Sequence, residues 1–185
     1  MTDLRYPIGA FRMEDRPDET WRRERIAEIE QTPARLREAI AGLSPEQMDT
    51  PYRPGGWTVR QLVHHVPDSH LNAYVRLKLA LTEDEPTIKP YEEARWAELA
   101  DSRETPPAVS LTLLETVHYR LVVLLRSLGP QDFSRTFRHP DHGVVNLDWL
   151  LGMYAWHGRH HVAHVTSLRE RMGWSWPGNA GVSPA

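Results

Sequence analysis

Residues 156–164 read Trp-His-Gly-Arg-His-His-Val-Ala-His, so four of the chain's ten histidines fall within eight positions. Imidazole at this density is metal-binding chemistry. A neutral ring offers one nitrogen lone pair, and two rings four residues apart on a helix project from one face, within reach of a single cation. His157/His161 and His160/His164 both have that spacing. Two ligands on one helix leave a cation under-coordinated, so a third must come from another segment, and the next dense histidine run is His64, His65 and His70. The 185-residue chain has no cysteine, which removes disulfides, thiolate ligands and a cysteine nucleophile. Imidazole, carboxylate and hydroxyl groups must carry the chemistry.

Helical phase ranks these rings. With Leu147 as zero at about 100° per residue, Leu151, Tyr154, Gly158, Val165 and Met172 lie within about 40° of one direction, the core side of the last long helix. His161 is then about 40° from that axis and His157 about 80°, against about 100° for His164 and about 140° for His160. On the helix containing Leu62, Val66, Ala73 and Leu77, His65 lies about 60° from the apolar axis and His64 about 160°. The predicted inward set is His65, His157 and His161. His70 stays in reserve, because Pro67 disturbs the phase of its helix. His118, in phase with Leu114 and Leu121, reads as a core histidine bonded through one nitrogen. Three imidazoles beside one core each need a partner, and protonating them side by side is costly, so a shared cation satisfies them most simply.

The elements that hold these residues are helical. Residues 1–17 form an irregular arm without periodicity, and Asp18 or Thr20 caps a helix to about Ala41, with Pro33 predicted to bend or break it. Ser44-Pro45-Glu46 signals a short helix. A long helix runs from Thr58 to about Leu81, and a third from about Ala108 to Leu128, ended by Gly129-Pro130. Between them, residues 82–107 carry Pro86, Pro90, Pro106 and Pro107 and form a long connection with one short helix around Tyr91–Ala100. Asn146 caps a fourth long helix to about Met172, and residues 174–185 are an unpatterned tail. No strand is expected beyond a few residues. The reading is all-α: one four-helix bundle domain over 18–173, with a long Pro-rich connection between the second and third long helices.

With 40% apolar and 25% charged residues, the chain suits one domain with its own core. The N-terminus has no apolar leader core, and the apolar runs read as too short for a membrane span. A net charge of −3 with interleaved signs offers no basic face for nucleic acid. The expectation is a soluble, untargeted protein with neither nucleic acid nor membrane as partner.

The segments Gly56-Trp57-Thr58-Val59-Arg60-Gln61-Leu62-Val63-His64-His65-Val66-Pro67-Asp68-Ser69-His70, Ile88-Lys89-Pro90-Tyr91 and Tyr154-Ala-Trp-His-Gly-Arg-His-His together resemble the YfiT branch of the DinB-like superfamily. The resemblance covers nearly the whole chain. It implies a four-helix bundle binding one divalent metal through three histidines, a metal-dependent hydrolase activity, a homodimer and a cytoplasmic location. The family's first ligand falls eight residues after the Trp of Trp-Thr-Val, on His65, and its His-x-x-x-His pair falls on His157 and His161. Phase and resemblance select the same three residues. The Arg-Gly-Gln that often follows the pair in the superfamily is replaced here by Val162-Ala163-His164.

Three imidazoles leave a coordination position open for water or substrate, as in catalytic zinc sites, and acidified water there can attack an ester or amide. Zinc is the expected metal, with nickel, manganese and iron also suited to such donors. His-Glu-x-x-His is missing, since positions 158 and 159 are Gly and Arg, so a zinc-protease mechanism is unsupported. Asp68, one turn beyond His65, is a candidate to orient a ligand or accept a proton, with His64 and His160 as further outer-shell candidates. Tyr91 and Trp96 are candidate wall residues for a small-molecule substrate. Two alternatives remain beside hydrolysis. One is transfer of an external low-molecular-weight thiol such as bacillithiol, a reaction found in related superfamily members. The other is non-catalytic binding of a metal or ligand.

Overall fold

The structure is a computed structural model in which residues 3–176 are described. Four long helices form an all-α bundle: α1 (Glu19–Ile40), α3 (Val59–Thr82), α6 (Pro107–Arg126) and α7 (Leu147–Met172). Short helices α2 (Pro45–Met48), α4 (Glu93–Trp96) and α5 (Ala100–Glu104) lie in the connections. The connection after α3 therefore carries two short helices where the sequence predicts one, because Ala97–Leu99 interrupt the run. Two four-residue antiparallel strands, β1 (Thr136–His139) and β2 (Gly143–Asn146), form a hairpin that delivers the chain into α7.

Local signals set the helix starts. Asp18 accepts from the Trp21 amide at 2.7 Å, and Thr58 and Gln61 form a reciprocal capping box at the head of α3. Asn146 caps α7, whose far end is closed by Gly173 in the left-handed conformation at φ 65°. Inside α1, Pro33 does not break the helix, one of the two outcomes the sequence suggested, and α3 likewise runs unbroken through Pro67. In α1 the reason is visible. The Ile29 carbonyl that loses its helical donor to Pro33 accepts from His118 Nδ1 at 2.6 Å.

α1 and α3 each pack against both α6 and α7. The apolar core is divided along the bundle axis. One cluster gathers Ile29, Leu77, Leu121, Leu125, Leu147 and Leu151, and the other Leu36, Leu62, Val66, Leu114, Val165 and Leu168. His70, His118, His157 and His161 lie on the helix turns between these clusters, with His65 at the edge of the second, so the bundle carries a polar layer at mid-height. Phase places most of the α7 core direction correctly, but Met172 is 53% exposed, because the last turn of α7 runs past the packed region. α6 is the one described helix long and apolar enough to cross a bilayer, a length the apolar runs read from sequence did not suggest. Core helices pass the same test, and its Leu111, Leu114, Leu121 and Leu125 are buried in the bundle.

Arginine side chains tie α7 to α1 at both ends. Arg22 binds both Asp148 oxygens at 2.7 Å, at the head of α7. At the other end, buried Arg169 donates to the carbonyls of Ala39 and Ala41, at the C-terminus of α1 where partial negative charge accumulates. The irregular arm before α1 crosses the outer face of α7, where the Gly9 carbonyl accepts from Trp156 Nε1 at 3.2 Å. The portion of the predicted tail from 177 to 185 lies outside the described residues.

Candidate metal centre

His65 is carried on the second turn of α3, and His157 and His161 on successive turns of α7. His65 Nε2 lies 3.3 Å from His157 Nε2, and His161 Nε2 lies 3.1 Å from the same atom. One ligand nitrogen from each of the three rings falls within 4.8 Å of the others. Nitrogens held at about 2.0–2.1 Å by one cation sit roughly 3 Å apart, so these spacings match neighbouring corners of a coordination shell. His65 and His161 are buried and His157 half-buried. Burial pushes His65 down to about 4. Burial first, then the neighbouring imidazoles, holds His157 and His161 well below the usual histidine range. All three rings are therefore neutral at pH 7, with lone pairs available, as a divalent cation of borderline softness requires. The donor set fits such a cation. His161 Nδ1 is buried without a partner.

The three rings face a pocket of 490 Å³. Trp57 packs on His65 with ring centroids 4.6 Å apart, and Arg5, Arg53 and Trp156 form further walls. Glu93 is the one carboxylate among the described lining residues. It also borders a smaller cavity of 210 Å³ on the other side of His157, beside Arg76, Tyr91 and Tyr154. Although much of Glu93 is exposed, its carboxyl is shielded by the cavity walls, which raises its pKa, with Arg76 pulling the other way. Glu93 was not anticipated. No periodicity marks it, because its place depends on how the Pro-rich connection folds back over the bundle.

The remaining predicted residues scatter. Tyr91 reaches the smaller cavity and packs at a tilt against Trp96, 4.5 Å between centroids, but Trp96 lines only an outer depression. Asp68 is half-buried and lines neither histidine cavity; burial, then Asp101, raises it to about 6. Phase directs His64, His160 and His164 away from the core, yet all three are buried. The reason is a covering layer that phase on a single helix ignores. His64 Nδ1 meets Ser110 Oγ of α6 at 2.7 Å, away from the pocket. His160 stacks on Trp156 at 4.4 Å, beneath the arm. His164 stacks on Tyr52 at 4.2 Å and donates to the Arg5 carbonyl. His70 and His118 are also buried, and His118 is bonded through both nitrogens rather than one: Nδ1 to Ile29 and Nε2 to His70 Nδ1 at 2.8 Å.

Fold and site together define a class: a four-helix bundle with three histidines, from two helices, converging on one pocket. The chain belongs to the DinB superfamily, whose family pattern matches residues 28–165. It is 57% identical over 178 residues to a Bacillus cereus protein, covering 94% of this chain and 100% of that one. A Bacillus mycoides relative is 56% identical over 174 residues with the same coverage. Both are provisionally named metal-dependent hydrolases. Among solved structures, Bacillus subtilis YfiT superposes with a TM-score of 0.91 at 48% identity, over 93% of this chain and 99% of that one. It is provisionally described as a metal-dependent hydrolase with an unusual four-helix-bundle topology. The four-helix bundle TT2238 shares the fold alone, with a TM-score of 0.54 at 21% identity, over 83% of this chain and 99% of that one.

Proposed function

We propose that this protein is a metal-dependent hydrolase of small-molecule substrates, with His65, His157 and His161 holding one divalent cation, zinc foremost. The observation that carries the reading is the convergence of three neutral ring nitrogens on a pocket that also contains a carboxylate. A bound cation supplies Lewis acidity toward water or a substrate oxygen. The chain's own groups supply the rest. Glu93, its pKa raised, is placed to take a proton from attacking water and return it to the leaving group. Arg53, on the pocket wall, offers guanidinium positive charge to negative charge developing on the substrate. Trp57 and Trp156 give apolar walls for the substrate body.

The test is the zinc- or nickel-loaded protein assayed on activated esters and amides, with and without an added low-molecular-weight thiol. Metal-dependent turnover in water alone supports hydrolysis. Turnover that requires bacillithiol or a similar thiol would overturn hydrolysis in favour of thiol transfer, and the thiol would have to be external because the chain has no cysteine.

A further inference from the structure

Behind the three ligand rings runs a chain of imidazoles that ends on a backbone carbonyl. His118 Nδ1 is 2.6 Å from the Ile29 oxygen. His118 Nε2 is 2.8 Å from His70 Nδ1. His70 Nε2 is 3.1 Å from His157 Nδ1. A carbonyl oxygen only accepts, so the proton of neutral His118 sits on Nδ1 and its Nε2 is a bare acceptor. His70 must then donate from Nδ1, which leaves its own Nε2 bare and obliges His157 to donate from Nδ1 in turn. One proton position therefore follows from another along the whole chain. Its last consequence is that His157 Nε2, the atom 3.1 and 3.3 Å from the other two ligand nitrogens, carries a lone pair and no hydrogen.

The anchor of this chain is built into α1. Pro33 has no amide hydrogen, so the carbonyl four residues earlier, Ile29, is released from the helical ladder and turned into a fixed acceptor. His70 and His118 are 0% and 2% exposed, so water does not compete for the hydrogen bonds between them.

We propose that His118 and His70 are positioning residues that, anchored on the Ile29 carbonyl freed by Pro33, lock His157 in the tautomer that presents Nε2 to the cation. The inference deepens the metal-site reading and rests on it only for its consequence; the proton order can be read without any metal. Outer partners of this kind alter metal affinity by about 10–100-fold.

The experiment has two parts. In ¹⁵N-labelled, metal-free wild type, long-range ¹H–¹⁵N correlations at neutral pH are expected to show His118, His70 and His157 all protonated on Nδ1. A hydrogen on Nε2 of any of the three overturns the proposal. Calorimetry with Zn²⁺ and Ni²⁺ then compares wild type with His70→Leu, which cuts the chain, and His70→Gln, whose amide can donate at one end and accept at the other. His70→Leu is expected to lose about 10–100-fold in affinity and His70→Gln to recover most of it. Equal affinity in wild type and a folded His70→Leu overturns the positioning role. A wild type that shows the three Nδ1 protons and takes up no cation would overturn the metal reading instead, leaving the proton order intact.

Discussion

His157 is the ring on which the site turns. Its Nε2 makes both short nitrogen contacts, and its Nδ1 is engaged from behind by His70. Removing any one ligand leaves two imidazoles, too few to hold a cation tightly. His65→Ala, His157→Ala and His161→Ala are therefore each expected to weaken Zn²⁺ affinity by more than about 100-fold, beyond the roughly 10–100-fold of a typical outer partner. His64→Ala should change it little, since that ring is bonded to Ser110 on another side of α3. A comparable loss at His64 in isothermal titration would contradict the assignment. Glu93→Gln separates chemistry from binding. It should lower kcat by roughly 10²–10⁴-fold, the usual contribution of a positioned acid or base, while leaving metal affinity unchanged. Undiminished turnover would remove Glu93 from the mechanism.

The approach of α1 to α7 holds the ligand pair in place. Gly158, next to His157, has no room for a side chain: a Cβ there would sit 2.5 Å from Thr32 Oγ1 and 2.7 Å from Thr32 Cγ2. Alanine gains about 1 kcal/mol over glycine within a helix, whereas forcing atoms into a packed interface costs about 1–3 kcal/mol. The clash is expected to win. Gly158→Ala should lower the Tm by a few degrees and weaken metal binding, as α7 is levered off α1. Adding Thr32→Ala should restore both. A single variant as stable as wild type would mean that the helices separate without cost. The same element-level logic explains Pro33, which costs one helical hydrogen bond and in exchange leaves an acceptor for His118.

Across the whole molecule, histidines are buried both in the polar layer between the apolar clusters and beneath the N-terminal arm, and this burial sets the response to acid. Burial pushes His65, His118 and His164 down to about 4 and His160 to about 3. In the unfolded chain the same rings take up protons near the ordinary histidine value of about 6.5. Between those limits the unfolded state binds more protons, so stability falls as pH drops below about 6.5 and keeps falling toward pH 4. Each such ring contributes up to about 1.4 kcal/mol per pH unit in that window. Urea unfolding of the metal-free protein between pH 8 and 4.5 should show the decline, and a flat profile would contradict it. Saturating Zn²⁺ should raise stability at neutral pH by mass action, as a ligand that binds only the folded state must.

Much of this was legible from residue order. A cap at Asp18 or Thr20, the start of α3 at Thr58, the Asn146 cap, the apolar stripes of α3 and α7, and the inward direction of His65, His157 and His161 all follow from interactions within a few residues, because helical hydrogen bonding fixes where each side chain points relative to its neighbours. What lay beyond reach was whatever depends on a second element. The burial of His160 and His164 needs the N-terminal arm and Tyr52 across them. The placement of Glu93 needs the Pro-rich connection to return over the pocket. The bonds joining Ile29, His118, His70 and His157 draw on α1, α6, α3 and α7 at once. Residue order thus determined the long helices and the inward direction of His65, His157 and His161. Only tertiary packing decided which atoms from different helices come within bonding distance, because those separations depend on how side chains fill the space between helices and not on any single helical repeat.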